Sequence, residues 1–378
     1  MKFRINAEVL SSYVNLVSKV VSSKANMPIL NNLLLETSKD TLILTGTDLD
    51  IQITAKTPVT SEKDGQITVN SRLFSQYINT VPKAESVEIE LDKSKLVVTS
   101  KVGSASFAVK DAEEFPLFET SDLEPLFEMD KAQLSQMIDK TVFAAAKEDI
   151  RPILTGVNFE MEGDYVTMVA LDTFRLSKIA TKVTNKIVGK KQFVISAFSL
   201  ENVTRIANDS FVSSVADKDT VSLKASESGN YVMIEYGDVQ IFSRFIEGDY
   251  PEYKQAIPVA HQTEITVNRS QMLDSLKRVG VFAQSAIGQK VIMNFHDGMV
   301  EMESVVPELG NVTEKLEVQI DGEPVKIAFQ LKFLIDALSS LSDEVIQLRT
   351  INKNSAGLFL QKSLDTYLHL MMPLKLDD

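Results

Sequence analysis

The segment MPILNNLLLE, beginning at Met27, returns 124 residues later as RPILTGVNFE from Arg151, and the same offset carries Asp48 of GTDLDIQI onto Asp172 of ALDTFRLSKI. Two unrelated motifs that keep one spacing mark a duplicated unit, and so long a period makes each copy a domain and not one turn of a solenoid. A third copy shows in the order of elements. Each unit opens with an amphipathic helix whose apolar residues recur at i, i+3, i+4 and i+7. Leu10, Tyr13, Val14, Val17 and Val21 mark the first, Leu134, Met137, Ile138 and Val142 the second, and Leu273, Leu276, Val279 and Ala283 the third. Asn6, Asp130 and Asn268 precede them as N-caps. Alternating runs then read as strands, among them Leu49, Ile51 and Ile53, or Val300 with Met302. A shorter second helix starts at Ser71, Ser196 and Gln330, and each copy ends on an apolar residue before Pro116, Pro251 or Pro373. The prediction is an α+β chain of three tandem domains, each two helices packed on antiparallel sheet, spanning 1–125, 126–258 and 259–378.

Catalytic patterns are missing. There is no cysteine, and the 3 histidines, His261, His296 and His369, stand at no metal-binding spacing, so neither metal nor cofactor is expected. Each histidine reads as a surface or strand residue, with His296-Asp297-Gly298 a hairpin turn. No nucleophile elbow, Walker loop or strand-linked G-x-G-x-x-G occurs, and Gly189-Lys190-Lys191 lacks the upstream glycine and the Ser/Thr of a phosphate loop. The reading is a non-enzyme. MKFRINAEVL lacks the apolar run of a signal peptide, and no stretch approaches the roughly 18–20 apolar residues of a membrane span. A soluble cytoplasmic protein with no membrane partner is expected.

The net charge of −13 is unevenly spread. The six predicted helices (6–24, 71–83, 130–147, 196–209, 268–285 and 330–342) together carry +5, which leaves −18 on strands and loops. Lys and Arg are good helix formers, which is one explanation. The other is a helical surface that tolerates a phosphate backbone weakly and without sequence preference, under an acidic exterior. An acidic protein–protein adaptor that never encircles DNA is the alternative from another functional class.

The opening MKF, MPILNNLLLE with TLILTGTDLDI, RPILTGVNFE with LDTFRL, FIEGDYPEYKQAIP and the closing MMPLKL together resemble the bacterial sliding clamp family, the beta subunit of DNA polymerase III, over essentially the whole chain. The resemblance implies a noncatalytic processivity factor: a head-to-tail homodimer closing six clamp domains into a ring around duplex DNA. Its partners would be the replicative polymerase, the clamp loader, repair polymerases and mismatch-repair proteins.

By the same resemblance Lys24, Arg72 and Arg151 are the DNA-binding candidates. Glu148, Pro152, Ile153 and Phe198 stand where some members carry other, DNA-contacting types. Phe107 and Val109 should meet Val281 and Phe282 of a second copy, unless all four are core residues. A pocket for QLxLF-type peptides would be built from Leu154, Leu171, Thr173, Arg175, Leu176, Pro251, Leu370, Met371, Met372, Pro373, Leu374, Lys375 and Leu376, with both methionines at its rim. The alternative for LHLMMPL is a last buried strand followed by a tail. Phe174 replaces a common histidine, Gln255 a frequent arginine, and Asp377-Asp378 extend past the usual end.

Overall fold

In the computed structural model, which describes residues 1–21, 27–148, 151–216, 219–226 and 228–376, strands run directly into helices. Asn6 ends the strand Lys2–Asn6 and caps α1 (Ala7–Ser18), its side chain accepting from the Glu8 and Val9 amides at 2.9 and 3.3 Å. Asn70 does the same for α2 (Ser71–Ile78) and Asp130 for α3 (Lys131–Asp139). The helix α4 (Ala197–Ala207) follows the strand Arg175–Ser196, Asp209 caps α5 (Ser210–Val215), Asn268 caps α6 (Arg269–Ala283), and α7 (Leu331–Ser340) follows Val325–Gln330. A short polar side chain on extended backbone reaches over the first turn and satisfies its free N–H groups, at about 1 kcal/mol per cap.

Three sequence expectations need correction. Each copy opens with a strand (Lys2–Asn6, Glu124–Asp130, Thr263–Asn268) before its first helix. These runs of five to seven residues are too short to stand out from the helix periodicity that follows. The helices also stop early: α1 ends at Ser18, and Val142 lies in a 3₁₀ turn, Val142–Ala144. With the observed bounds the described helices carry +2 and not +5: Lys19, Lys83, Lys140 and Lys147 lie beyond their ends, Lys24 lies outside the described residues, and the capping Asp130 and Asp209 also drop out of the count. Leu49, finally, sits at φ 86° in a turn, and its strand begins at Ile51.

Two compact units emerge, and they do not follow the three copies. The first holds Met1–Ser135, Val183–Lys186 and Phe198–Phe245; the second holds Gln136–Lys182, Ile187–Ala197 and Ile246–Asp378. In the first, a thirteen-stranded sheet runs through two copies, because Val239–Arg244 pairs antiparallel with Ile51–Pro58, Ile241 facing Ile53. The apolar stripe of α1, including Leu10, Val14 and Val17, is buried. In the second, a seven-stranded sheet joins the long hairpin of Gly156–Leu171 and Arg175–Ser196 to the last strand, Tyr367–Met371. A four-stranded sheet with α6 and α7 completes that unit.

Tight backbone approach at the start of the long hairpin makes a stability prediction. A Cβ on Gly156 would lie 2.5 Å from Val194 Cγ1 and 2.8 Å from the Ile195 carbonyl oxygen, which cannot move without breaking the ladder. Gly156→Ala should therefore destabilise the chain by about 1–3 kcal/mol, read from denaturant unfolding. An unchanged midpoint would contradict this packing.

Candidate peptide-binding site

The site is organised by one turn. Asp172 accepts from the Phe174 and Arg175 amides at 2.8 and 2.9 Å, closing the hairpin between Gly156–Leu171 and Arg175–Ser196. Asp48 performs the same task 124 residues earlier, accepting from the Asp50 and Ile51 amides at 3.0 and 2.9 Å. Pro28 and Pro152 likewise each begin a 3₁₀ turn, Pro28–Asn31 and Pro152–Thr155. The repeated motifs are thus repeated turn chemistry: a short carboxylate that substitutes for a backbone acceptor, and a proline with φ already set.

Arg175 is committed to structure. Its Nε donates to Asp172 Oδ2 at 3.0 Å and its Nη1 to Asp336 Oδ2 at 2.7 Å, while the guanidinium lies 4.3 Å from the Phe333 ring centroid. It is 5% exposed, so it holds the turn of the hairpin to α7 and offers no free donor at the surface.

Strand pairing then sorts the remaining residues by face. Leu171 pairs with Leu176, and Leu176 with Leu370, so these three share one side of the sheet. They pack with Val169, Tyr250, Tyr253 and Leu358. Leu154 is fully buried in a neighbouring cluster with Ile153 and Val194, and Leu171 and Tyr250 belong to both clusters. The Tyr250 hydroxyl donates to the Val169 carbonyl at 3.1 Å, and burial raises its pKa. Pro251, Pro373, Leu374 and Leu376 are half-buried, and Thr173, Met372 and Lys375 are exposed. The tail is tied down through backbone bonds: Met372 donates to the Phe174 carbonyl and Leu374 to the Ala328 carbonyl, both at 2.7 Å.

The alternative reading of LHLMMPL describes its geometry: a buried strand ends at Met371 and the tail after it remains at the surface. The placement of two methionines at the rim does not hold. Met371 pairs with Arg175 on the opposite face of the strand and is fully buried, whereas Met372 is 42% exposed.

On that opposite face His369 is fully buried, its Nδ1 2.7 Å from Ser177 Oγ and its Nε2 without a hydrogen-bond partner among the described residues. Phe143 and Phe359 flank it, with ring centroids at 5.3 and 6.3 Å. Burial first, and the Arg175 charge second, push its pKa down to about 3. His296 sits at the hairpin turn as predicted, with Asp297 and Gly298 at φ 47° and 74°, and Asp297 raises its pKa. Among the described residues, no group of three His, Cys, Asp or Glu side chains could hold a metal ion. No helix of the described residues is long and apolar enough to cross a membrane.

Lys24 lies outside the described residues. Arg72 is exposed in the first turn of α2, beside a cleft of about 530 Å³ whose lining includes Ser18, Asn31, Asn70 and Gln76. Arg151 is exposed at the start of its 3₁₀ turn. The four predicted contact residues are not core. Phe107 and Val109 are half-buried, Phe107 packing edge-on against Phe74 and Tyr77 at 5.5 and 5.6 Å. Val281 is 72% exposed and Phe282 half-buried, near Gly310. Their surroundings share a feature. Gly103–Lys110 pairs fully with Lys95–Ser100, but with Gly65–Asn70 only at Val109 and Lys110, and Gly310–Glu317 is an outer strand of its sheet. Both strands alternate exposed and half-buried residues.

The buried imidazole makes a pH prediction. Unfolded, His369 titrates near its ordinary 6.5; folded, it stays neutral down to about 3. Its contribution is present above 6.5 and lost as pH falls below that, because only the unfolded chain then takes up the proton. Between pH 7 and pH 5 the native chain should lose about 2 kcal/mol more stability than His369→Asn, measured by denaturant unfolding at both pH values. Parallel losses would mean the imidazole is accessible to protons in the fold.

Family models for the DNA polymerase III beta subunit match in three consecutive pieces: the N-terminal domain over residues 1–119, the central domain over 128–252 and the C-terminal domain over 254–375. The beta sliding clamp of Bacillus subtilis is 30% identical over 387 residues, covering 99% of this chain and all of that protein, and the one from Halalkalibacterium halodurans is 29% identical over 389. Among solved structures, the B. subtilis DNA polymerase sliding clamp superposes with a TM-score of 0.93 at 29% identity. The Thermotoga maritima DNA polymerase III beta subunit superposes at 0.90 with 26% identity, and each comparison covers both chains completely. With all three domain models in order and full-length relatives on the same fold, the chain belongs to the DNA polymerase III beta-subunit family, the beta sliding clamps.

Proposed function

We propose that this DNA sliding clamp works without chemistry of its own, as two copies closed head to tail around duplex DNA. The observation that carries the reading is the complete, ordered set of three beta-subunit domains, to which we assign the limits 1–125, 126–258 and 259–378. A ring cannot leave DNA sideways, so it can slide on contacts that are individually weak. Tethering a polymerase to it holds the enzyme near the primer end at high effective concentration without any new DNA contact. Weak contacts suit Lys24, Arg72 and Arg151, whose nonspecific phosphate interactions would fall off with salt.

For ring closure we assign Gly103–Lys110 of one copy against Gly310–Glu317 of the other. Each has backbone groups to pair, and each is flanked by predicted contact residues: Phe107 and Val109 on one, Val281 and Phe282 beside the other. A heterologous contact of this kind gives a ring when the rotation closes, and pairing removes two open edges. For recruitment we assign the surface around Leu171, Met372 and Leu374, where the apolar anchors of a QLxLF-type peptide would rest on the Leu154, Leu176 and Leu370 floor. The clamp loader, repair polymerases and mismatch-repair proteins would share this surface with the replicative polymerase. One adaptable methionine at the rim suits varied partners.

Two measurements test these assignments. Loaded on nicked circular DNA by a compatible clamp loader, the protein should stay bound until the circle is cut and then be lost. Phe282→Ala should not be retained, and its solution mass should fall on dilution from about 84 kDa, twice 42.0 kDa, toward the single chain. Retention that survives cutting would mean ordinary binding and favour an adaptor that does not encircle DNA. Separately, Met372→Ala with Leu374→Ala should weaken a QLxLF peptide by more than about tenfold, near 1.4 kcal/mol or more. Unchanged affinity would remove this surface from consideration.

A further inference from the structure

The sheet face that carries the peptide floor does not end at Val169. Continuing along the long hairpin on the same side, Val169 pairs with Lys178, Thr167 with Ala180, and Tyr165 with Lys182. The face grades from leucine to lysine and tyrosine within three residue pairs. Where it does so, a cleft of about 710 Å³ opens between the hairpin and the segment Tyr250–Lys254. Tyr250 and Pro251 line this cleft, and both also belong to the peptide site, so the two are continuous.

The cleft carries one more positive than negative side chain in an otherwise acidic chain. Lys178, Lys190, Lys191 and Lys254 line it against Glu160, Glu162 and Glu252, whereas the whole chain carries −13. Two of the internal pairs, Lys190 with Glu162 at 3.0 Å and Lys254 with Glu160 at 3.1 Å, have lysines about three-quarters and two-thirds exposed, respectively. Such pairs are individually weak and can exchange partners at little cost. Lys178 is half-buried between the two neighbouring strands, and no ion pair to it is seen among the described residues. A second, independent observation points the same way. Tyr253 lines the cleft at 5% exposure, and its hydroxyl is buried without a hydrogen-bond partner among the described residues, its pKa raised first by burial and then by the nearby Glu160 carboxylate. A buried donor left without an acceptor is uncommon in a finished fold.

We infer that this cleft receives an acidic flank of the partner peptide whose apolar residues occupy the adjoining site. The flank's carboxylates would take the ammonium groups of Lys178 and Lys254, and one acceptor would take the Tyr253 hydroxyl. The apolar anchor would then set affinity, while the flank ranks partners by charge. This rests on the peptide-site assignment above, and the experiment separates the two.

Titration of the full-length chain with a QLxLF peptide carrying three glutamates, placed on either side in turn, is compared with the same peptides carrying glutamines. At low salt one acidic peptide should bind about fivefold tighter than its neutral counterpart, the size of two partly exposed charge pairs. Lys178→Gln with Lys254→Gln should abolish that preference while leaving the neutral peptide's affinity unchanged, and raised salt should do the same. Equal binding of acidic and neutral peptides by the native chain, on both sides, would overturn the inference and leave the peptide site standing. A preference that survives the double substitution would also overturn it. Binding of none of the peptides would overturn the peptide site and this inference together.

Discussion

An antiparallel strand at a sheet edge leaves a row of N–H and C=O groups to be paired, and much of this architecture follows from how those rows are closed. No copy of the repeat closes its own. The first copy's Ile51–Pro58 is paired by Val239–Arg244 of the second, and the second copy's Arg175–Ser196 by Tyr367–Met371 of the third. Even the tail takes part, with the Leu374 amide on the Ala328 carbonyl of an outer strand. Copies joined in this way form sheets longer than any one of them, which is why the compact units cut across the repeat. The half-open Gly103–Lys110 and the outer strand Gly310–Glu317 are among the rows still open within one chain, and a second copy of the chain is the partner proposed for them.

The proposed peptide site would inherit its position from the same pairing. Leu171, Leu176 and Leu370 come from two copies, and they meet because the strand register puts them in one row. Arg175 secures that register from the other face through Asp172 and Asp336. A guanidinium held by two carboxylates and an aromatic ring is costly to unpair, so the hairpin turn stays fastened to α7. Beyond Val169 the face changes character because polar side chains follow in the same row, and that change opens a second, charged surface next to the first.

Much of this was legible beforehand, and for physical reasons. Repeated Asp and Pro residues announced repeated turns because each works locally, through its own carboxylate or its own ring. Asn6, Asp130 and Asn268 announced helix starts on the same ground. Expectations that depended on where an element stops fared worse. The helical charge excess fell from +5 to +2 once the true ends were known, since lysines beyond a helix continue its pattern without belonging to it. Met371 and Met372 look alike in sequence, and only the face each one takes makes the first buried and the second exposed.

By itself, then, the amino-acid sequence determined the threefold repeat, the α+β class, the caps and turns, and the membership in the clamp family that the full-length comparisons bear out. All of these are set by residues close together in the chain or by their order along it. The tertiary structure alone decided which strands of different copies pair, that Arg175 is spent on two aspartates, that His369 is buried and neutral, and that four lysines line one cleft beside the long hairpin. Those outcomes depend on register across sheets joined at long range, and one residue of slip would turn every side chain to the other face.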